Sequence, residues 1–161
     1  MKKFSIIFYS LLILSLLTTM SFMKFQEQNS KTIRFEGTYT TTREVLDPPP
    51  MLKQRITGVC ESKDLNISKF VAIAKQNTTT KPPFAVTGTS TYYEDKGDVF
   101  YTTFVGTSTP GTDSTLTVKM THIIKGGTGK FKNASGSFEG KTIADPKKLT
   151  ASILLKGSIT Y

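Results

Sequence analysis

The sequence predicts an all-β domain, a closed antiparallel β-barrel of about eight strands. Thr is the commonest residue, Val, Ile, Tyr and Phe are plentiful, and turn-forming residues recur about every 8 to 15 positions. No segment beyond the amino terminus shows the 3.6-residue period of an amphipathic helix. Glycines fall inside several predicted strands, among them Gly58, Gly88 and Gly106. Such glycines relieve crowding where strands bend, and closure removes exposed edges, so we expect the sheet to curl into a barrel.

The first predicted strand, residues 31–44, alternates between two faces. Ile33, Phe35 and Tyr39 share one face and polar residues occupy the other, so one face is expected to be buried. The three prolines at 48–50 cannot donate to a ladder and are expected to lie between strands. The remaining strands are predicted over residues 52–61, 70–74, 85–94, 99–107, 114–124, 136–143 and 149–161.

Turn chemistry supports this strand order. Asp-Lys-Gly-Asp at 95–98 and Pro-Gly-Thr-Asp at 110–113 are hairpin signals, because Gly and Asp accept the backbone angles of tight turns. Asp-Pro-Lys-Lys at 145–148 is expected to turn the chain into the last strand. Consecutive strands should therefore be antiparallel neighbours.

The amino terminus has the arrangement of a secretory signal peptide over residues 1–22. Lys2 and Lys3 precede an unbroken stretch of apolar and small residues that runs to Met23. We expect cleavage to leave a polar leader over residues 23–30 and the barrel over residues 31–161. The alternative is an uncleaved signal anchor, since the stretch is long enough to span a bilayer. In both cases the barrel is expected to lie outside the cytoplasm. After cleavage it is expected to be secreted or periplasmic, without stable membrane insertion.

The scarcity of metal-binding and nucleophilic residues excludes several function classes. The single cysteine, Cys60, forbids an internal disulfide or a Cys-based zinc cluster, and the single histidine, His122, forbids sites that need two imidazoles. No basic residue adjoins Cys60 in the sequence to lower the pKa of its thiol, so we expect a buried filler rather than a nucleophile. No cofactor and no metal site are predicted.

The charge distribution does not favour a nucleic-acid partner. The chain has 21 Lys and Arg against 12 Asp and Glu, but beyond residue 22 the basic residues are scattered singly apart from Lys147 and Lys148. A nucleic-acid site would gather them in a patch or interleave them with aromatic residues. Three acids, Glu94, Asp95 and Asp98, cluster at one hairpin, yet their spacing matches no calcium loop, so a solvated turn is expected there.

The most specific local pattern is GGTGKFKNASG at 126–136. We interpret Gly126, Gly127, Gly129, Phe131 and Gly136 as a structural motif. Its glycines would permit positive φ angles and close packing, and Phe131 would face inward with Ala134 as a plug. The alternative is a phosphate-binding glycine loop, which would need a following helix that the sequence does not predict.

This segment resembles one found in plant dirigent proteins and allene oxide cyclases, and more closely small secreted bacterial proteins of that type. The similarity covers residues 85–161 and includes the terminal Gly-Ser-Ile-Thr-Tyr at 157–161. The resemblance implies an eight-stranded antiparallel barrel. It carries over no catalytic residue, since the cavity acids and polar groups of those enzymes find no matching positions here, and shared folds host unrelated functions.

Four residues are candidate contacts for a ligand in the barrel interior: His122, Met120, Tyr101 and Tyr92. His122 shares a strand face with Met120, and its ordinary pKa lies nearest neutrality, so it could contact a ligand or be a hydrogen-bonded interior residue. Tyr92 and Tyr101 belong to the densest aromatic region, where cross-strand packing is the alternative interpretation.

The leading functional hypothesis is non-catalytic binding of a small hydrophobic ligand in the barrel. One alternative is a cavity isomerase or cyclase of the allene oxide cyclase or dirigent type. Another is a structural or adhesive surface protein, including a homo-oligomer, which needs no pocket. The size and polarity of the interior should separate the three hypotheses.

Overall fold

A computed structural model describes residues 31–62, 64–111 and 113–161, without the side chains of residues 60–62, and it shows a closed barrel of eight antiparallel strands. The predicted fold class is therefore confirmed. The proposed signal peptide and leader, residues 1–30, lie outside the described residues. The strands are β1 Thr32–Asp47, β2 Met51–Ser62, β3 Ile67–Asn77, β4 Phe84–Glu94, β5 Val99–Pro110, β6 Leu116–Gly127, β7 Ser135–Asp145 and β8 Thr150–Thr160.

Closure comes from pairing between the first and last strands. Every strand pairs with the next one along the chain, and β1 also pairs with β8 continuously from Thr32 opposite Thr160 to Thr42 opposite Thr150. The described strands therefore leave no sheet edge free for pairing with another chain. Within these residue ranges, no helix is long and apolar enough to cross a bilayer.

Strand alternation sorts side chains between the interior and solvent as the sequence predicts. In β1, Phe35, Tyr39 and Thr41 are buried, whereas their neighbours Glu36 and Thr40 are exposed. The strand β3 is longer than the predicted 70–74, because pairing with β2 and β4 extends the ladder through flanking polar residues. Pairing with neighbouring strands sets this boundary, because a polar residue on the outer face of the sheet costs the strand little stability.

The barrel has two different ends. The described residues of four connections form one end, which we call the mouth end: 48–50, 78–83, 111 with 113–115, and 146–149. Three connections form the other end, the plug end, and their described residues are 64–66, 95–98 and 128–134. The buried aromatic residues all lie between mid-barrel and the plug end: Phe35, Tyr39, Phe70, Tyr92, Phe100, Phe104, Phe131 and Phe138.

The glycine segment closes the plug end. A single 3-10 turn, Gly129–Phe131, carries Phe131 into the interior, where it is fully buried between Phe100 and Tyr161, with ring centroids 5.3 and 4.8 Å away. Gly129 has φ +48°, a conformation that L side chains rarely adopt. Gly127 is required for a different reason, because a Cβ there would collide with the carbonyl oxygen of Val99.

One acid near this turn is buried, which corrects the expectation of a solvated cluster. The Glu94 side chain is only 2% exposed, and its Oε1 accepts a hydrogen bond from Lys130 Nζ at 2.8 Å. Its Oε2 accepts one from the backbone N–H of Lys96 at 3.0 Å. The ion pair with Lys130 joins the 95–98 hairpin to the 3-10 turn Gly129–Phe131, which we call the plug turn. The two residues of the pair are 36 positions apart in the sequence. Asp95 is exposed, as expected for a turn.

Candidate functional site

A cavity of about 50 Å³ lies inside the barrel at the mouth end, and we call it the mouth cavity. The surface that faces it is almost entirely apolar. Three alanines help to create it, since Ala74, Ala144 and Ala151 occupy inward positions that large aromatic residues fill at the plug end. Seven larger apolar side chains also line it: Leu52, Ile56, Val86, Leu116, Val118, Met120 and Ile153.

Arg43 is the one charged residue that lines the mouth cavity among the described residues. It follows Tyr39 and Thr41 on the inward face of β1, and its Nη2 donates a hydrogen bond to the backbone oxygen of Asp145 at 3.1 Å. Its Nε is buried and has no partner in the described part of the chain. Burial lowers the pKa of Arg43, and the nearby charge of Asp145 partly opposes this effect.

The other polar groups of the cavity are uncharged. Thr41 Oγ1 donates to the backbone oxygen of Ala151 at 3.2 Å. Thr142 Oγ1 is buried and finds no partner within the residues that the structure describes. Gln54 and Gln76 are half-buried and line the same cavity.

His122 lies deeper, next to a second cavity of about 20 Å³ that shares Ile56, Met120 and Ile153 with the mouth cavity. His122 is 3% exposed, and the Nδ1 of its imidazole lies 3.3 Å from Thr102 Oγ1. Its Nε2 is buried without a partner among the residues described. Burial lowers the pKa of His122 to about 3, so the ring is neutral at physiological pH.

Three of the four predicted ligand contacts point inward. Met120 lines both cavities, while His122 and Tyr92 line the deeper one. Tyr92 is also an aromatic core residue, with its ring stacked on Phe100 at a centroid distance of 4.7 Å. Tyr101 is 42% exposed and lies on the outer face, since its neighbours in β5 face inward. The structure therefore separates Tyr101 from the other three.

Arg43 is the interior residue that the sequence analysis missed. The alternation of β1 beyond Tyr39 and Thr41 places position 43 on the same face, and this signal was available in the sequence. A basic residue is normally assigned to the solvent face, which hides the signal.

The backbone of Cys60 pairs with that of Tyr39, and the side chain of Cys60 lies outside the described part of the structure.

Comparison with known proteins gives no assignment. No family model matches the chain, no curated protein matches it, and no solved structure matches it. Among the described residues, no group of three or more His, Cys, Asp or Glu side chains could hold a metal ion. The mouth cavity is thus the feature from which a function can be argued.

Proposed function

We propose that this barrel is a non-catalytic binding protein for a small hydrophobic ligand that enters at the mouth end. The observation that carries the proposal is the mouth cavity, an apolar space that opens among the strand ends that bear half-buried Leu52, Gln76 and Leu116. Ligand sites in small barrels are commonly of this kind, lined by apolar side chains with a few polar groups.

The size of the cavity restricts the ligand. At about 50 Å³ it is well below the roughly 300–1,000 Å³ of pockets that take drug-sized molecules. It exceeds the roughly 10–15 Å³ that one water requires. A short alkyl chain suits this space, whereas a fused ring system does not.

The interior supports binding better than acid–base chemistry. A general acid or base works best when its pKa lies near the working pH, and the pKa of His122 is about 3. The mouth cavity itself is lined by no carboxylate, imidazole or thiol among the described residues. The cyclase or isomerase alternative therefore has less support than a binding role.

Export and kinship with allene oxide cyclase-like barrels belong to the same proposal. The support for export is the order of lysines and apolar residues over residues 1–22. The support for kinship is the strand number together with the glycine segment at 126–136. Mass spectrometry of the mature protein from its own source tests export, because cleavage of the signal peptide removes about 22 residues.

A matched pair of alanine-to-valine substitutions tests the binding site. Ala74→Val adds two methyl groups inside the mouth cavity, and Ala85→Val adds the same groups on the exposed outer face of β4. We expect 1-hexanol to shift backbone amide NMR signals of residues around the cavity in the wild type and in Ala85→Val, and to bind Ala74→Val at least tenfold more weakly. Absence of binding to the wild type, or equal binding to all three proteins, would contradict the proposed function.

A further inference from the structure

We propose that the ligand of the mouth cavity is an alkyl carboxylate whose carboxylate pairs with Arg43 while its short chain occupies the apolar space. This inference rests on the proposed function and adds the charge and chemical class of the ligand. It follows from the position of one half-buried cation, with a buried Nε, in an apolar wall.

The wall of the cavity has a charge imbalance. Arg43 is the one charged side chain in it, and no acidic residue of the described chain lines it. Buried charges in proteins are normally paired, because an unpaired charge loses hydration without recovering the energy elsewhere. A monoanion at the mouth would restore the balance.

The guanidinium of Arg43 retains unused hydrogen-bonding capacity. An arginine has five N–H donors, and one hydrogen bond is present here, from Nη2 to the backbone oxygen of Asp145. The Nε–H is buried without a protein partner within the described ranges. A carboxylate can accept two parallel hydrogen bonds from a guanidinium, and the N–H donors that the bond to Asp145 leaves unused are sufficient in number for such a pair.

The nearest acid, Asp145, leaves the guanidinium of Arg43 available to a bound anion. The Asp145 carboxylate accepts hydrogen bonds from the backbone N–H groups of Lys147 and Lys148 at 2.9 and 3.1 Å, and it pairs with Lys148 Nζ at 3.6 Å. Arg43 has no ion pair within 4.0 Å in the described part of the chain, although the charge of Asp145 acts on it from a greater distance. The outward-facing Arg55 on β2 differs, because its Nη1 pairs with Glu44 at 2.8 Å.

The energetics of Arg43 agree with this assignment. Burial lowers the pKa of its guanidinium, so the cavity disfavours the charged form. A bound anion would relieve that cost, whereas a neutral ligand would increase it by excluding water. The half-buried amides of Gln54 and Gln76 also line the cavity and carry further N–H donors.

Probe molecules of equal chain length and different charge test the proposal. Hexanoate, 1-hexanol and hexylammonium are titrated at pH 7 into the wild type, Arg43→Gln, Arg43→Lys and Arg55→Gln, with binding followed by isothermal titration calorimetry and amide NMR shifts. Arg55→Gln is the matched control, because it removes the same charge from the outer face. Far-UV circular dichroism establishes that each variant is folded.

We expect the wild type and Arg55→Gln to bind hexanoate at least tenfold more tightly than 1-hexanol, and to bind hexylammonium more weakly than either. Arg43→Gln should bind both hexanoate and 1-hexanol with similar affinity, and Arg43→Lys should keep a reduced preference for hexanoate. Equal binding of hexanoate and 1-hexanol by the wild type, or an unchanged preference in Arg43→Gln, overturns this inference and leaves the proposed function standing. If none of the probes binds the wild type, the proposed function fails first.

Discussion

The imidazole of His122 stacks on the ring of Phe138 across the β6–β7 pair, with centroids 4.5 Å apart and ring planes 12° apart. The same imidazole packs at 5.0 Å from Phe104 and edge-on to Tyr92 at 6.3 Å. His122 is therefore a member of the aromatic core as well as a neighbour of the deeper cavity. Its chemistry is governed by that packing, because an imidazolium would lose its hydration there.

His122 should make the barrel sensitive to acid. Its pKa is about 3 in the folded protein and 6.5 ordinarily, so below pH 6.5 the unfolded state binds a proton that the folded state does not. The free energy of unfolding should fall by about 2 kcal/mol between pH 7 and pH 5 from this group. Urea titrations of the wild type and His122→Phe at both pH values measure the effect. A parallel fall in both proteins would show that another group is responsible.

Gly127 should tolerate no side chain. A Cβ at this position meets the carbonyl oxygen of Val99, which belongs to the backbone and cannot rotate away. Gly127→Ala is expected to lose more than about 3 kcal/mol of stability or to fail to fold. Gly97→Ala is the control, because Gly97 has φ +99° and no heavy atom within 4 Å of the added Cβ, so it should lose about 1 kcal/mol. Equal denaturation midpoints would refute the close-approach explanation.

The Glu94–Lys130 ion pair should stabilise the plug turn. Lys130→Met leaves the Glu94 carboxylate, which is 2% exposed, without its cation. We expect the free energy of unfolding to fall by about 2 kcal/mol, less than for a fully buried ion pair, because the Lys130 side chain is 36% exposed. Lys156→Met removes an exposed partner of Glu36 and should change stability by about 0.5 kcal/mol or less. Guanidinium titrations compare the two variants, and similar losses would contradict this role for Glu94.

The pH dependence of the same ion pair has a defined sign. The hydrogen bond from Lys130 holds the pKa of Glu94 below its ordinary value of 4.5, so the stabilisation is present above pH 4.5 and is lost as the pH falls through the folded-state pKa. The difference in stability between the wild type and Lys130→Met should therefore shrink at low pH. A difference that stays constant down to pH 3 would indicate lost packing rather than a lost ion pair.

Phe131 should be among the most sensitive core positions. It is fully buried and contacts Phe100 and Tyr161, so Phe131→Ala is expected to cost about 4 kcal/mol through lost burial and an unfilled cavity. Ile123→Ala on the outer face, 42% exposed in the wild type, should cost about 1 kcal/mol or less. Chemical denaturation monitored by circular dichroism gives both values, and a tolerated Phe131→Ala would mean that the plug end holds without its aromatic residue.

The fold could be predicted because its signals are local. Alternation in β1 identifies the buried face through Phe35 and Tyr39, and the turn residues at 95–98 fix one pair of neighbouring strands. Closure requires more than local information, yet the strand number and the internal glycines indicate it, and the β1–β8 pairing confirms it.

The site could be predicted only in part, because it depends on contacts across the barrel. Alternation identifies Met120 and His122 as inward residues but cannot show that Ala74 and Ala151, on strands far apart in sequence, leave a cavity between larger neighbours. The burial of Glu94 depends on Lys130, which comes 36 residues later. The inward position of Arg43 follows from its strand, but its unpaired Nε becomes visible only in the assembled barrel.

The hydroxyl oxygens of Thr32 and Thr160 lie 2.8 Å apart, which places the start of β1 beside the end of β8 at the plug end. A short linker could therefore join these positions, and new chain ends could be opened at an exposed connection such as 95–98 without cutting a strand. The same geometry suits surface attachment. A tag or solid support fused at residue 161 would hold the barrel by its closed base and leave the opposite opening free for soluble probes.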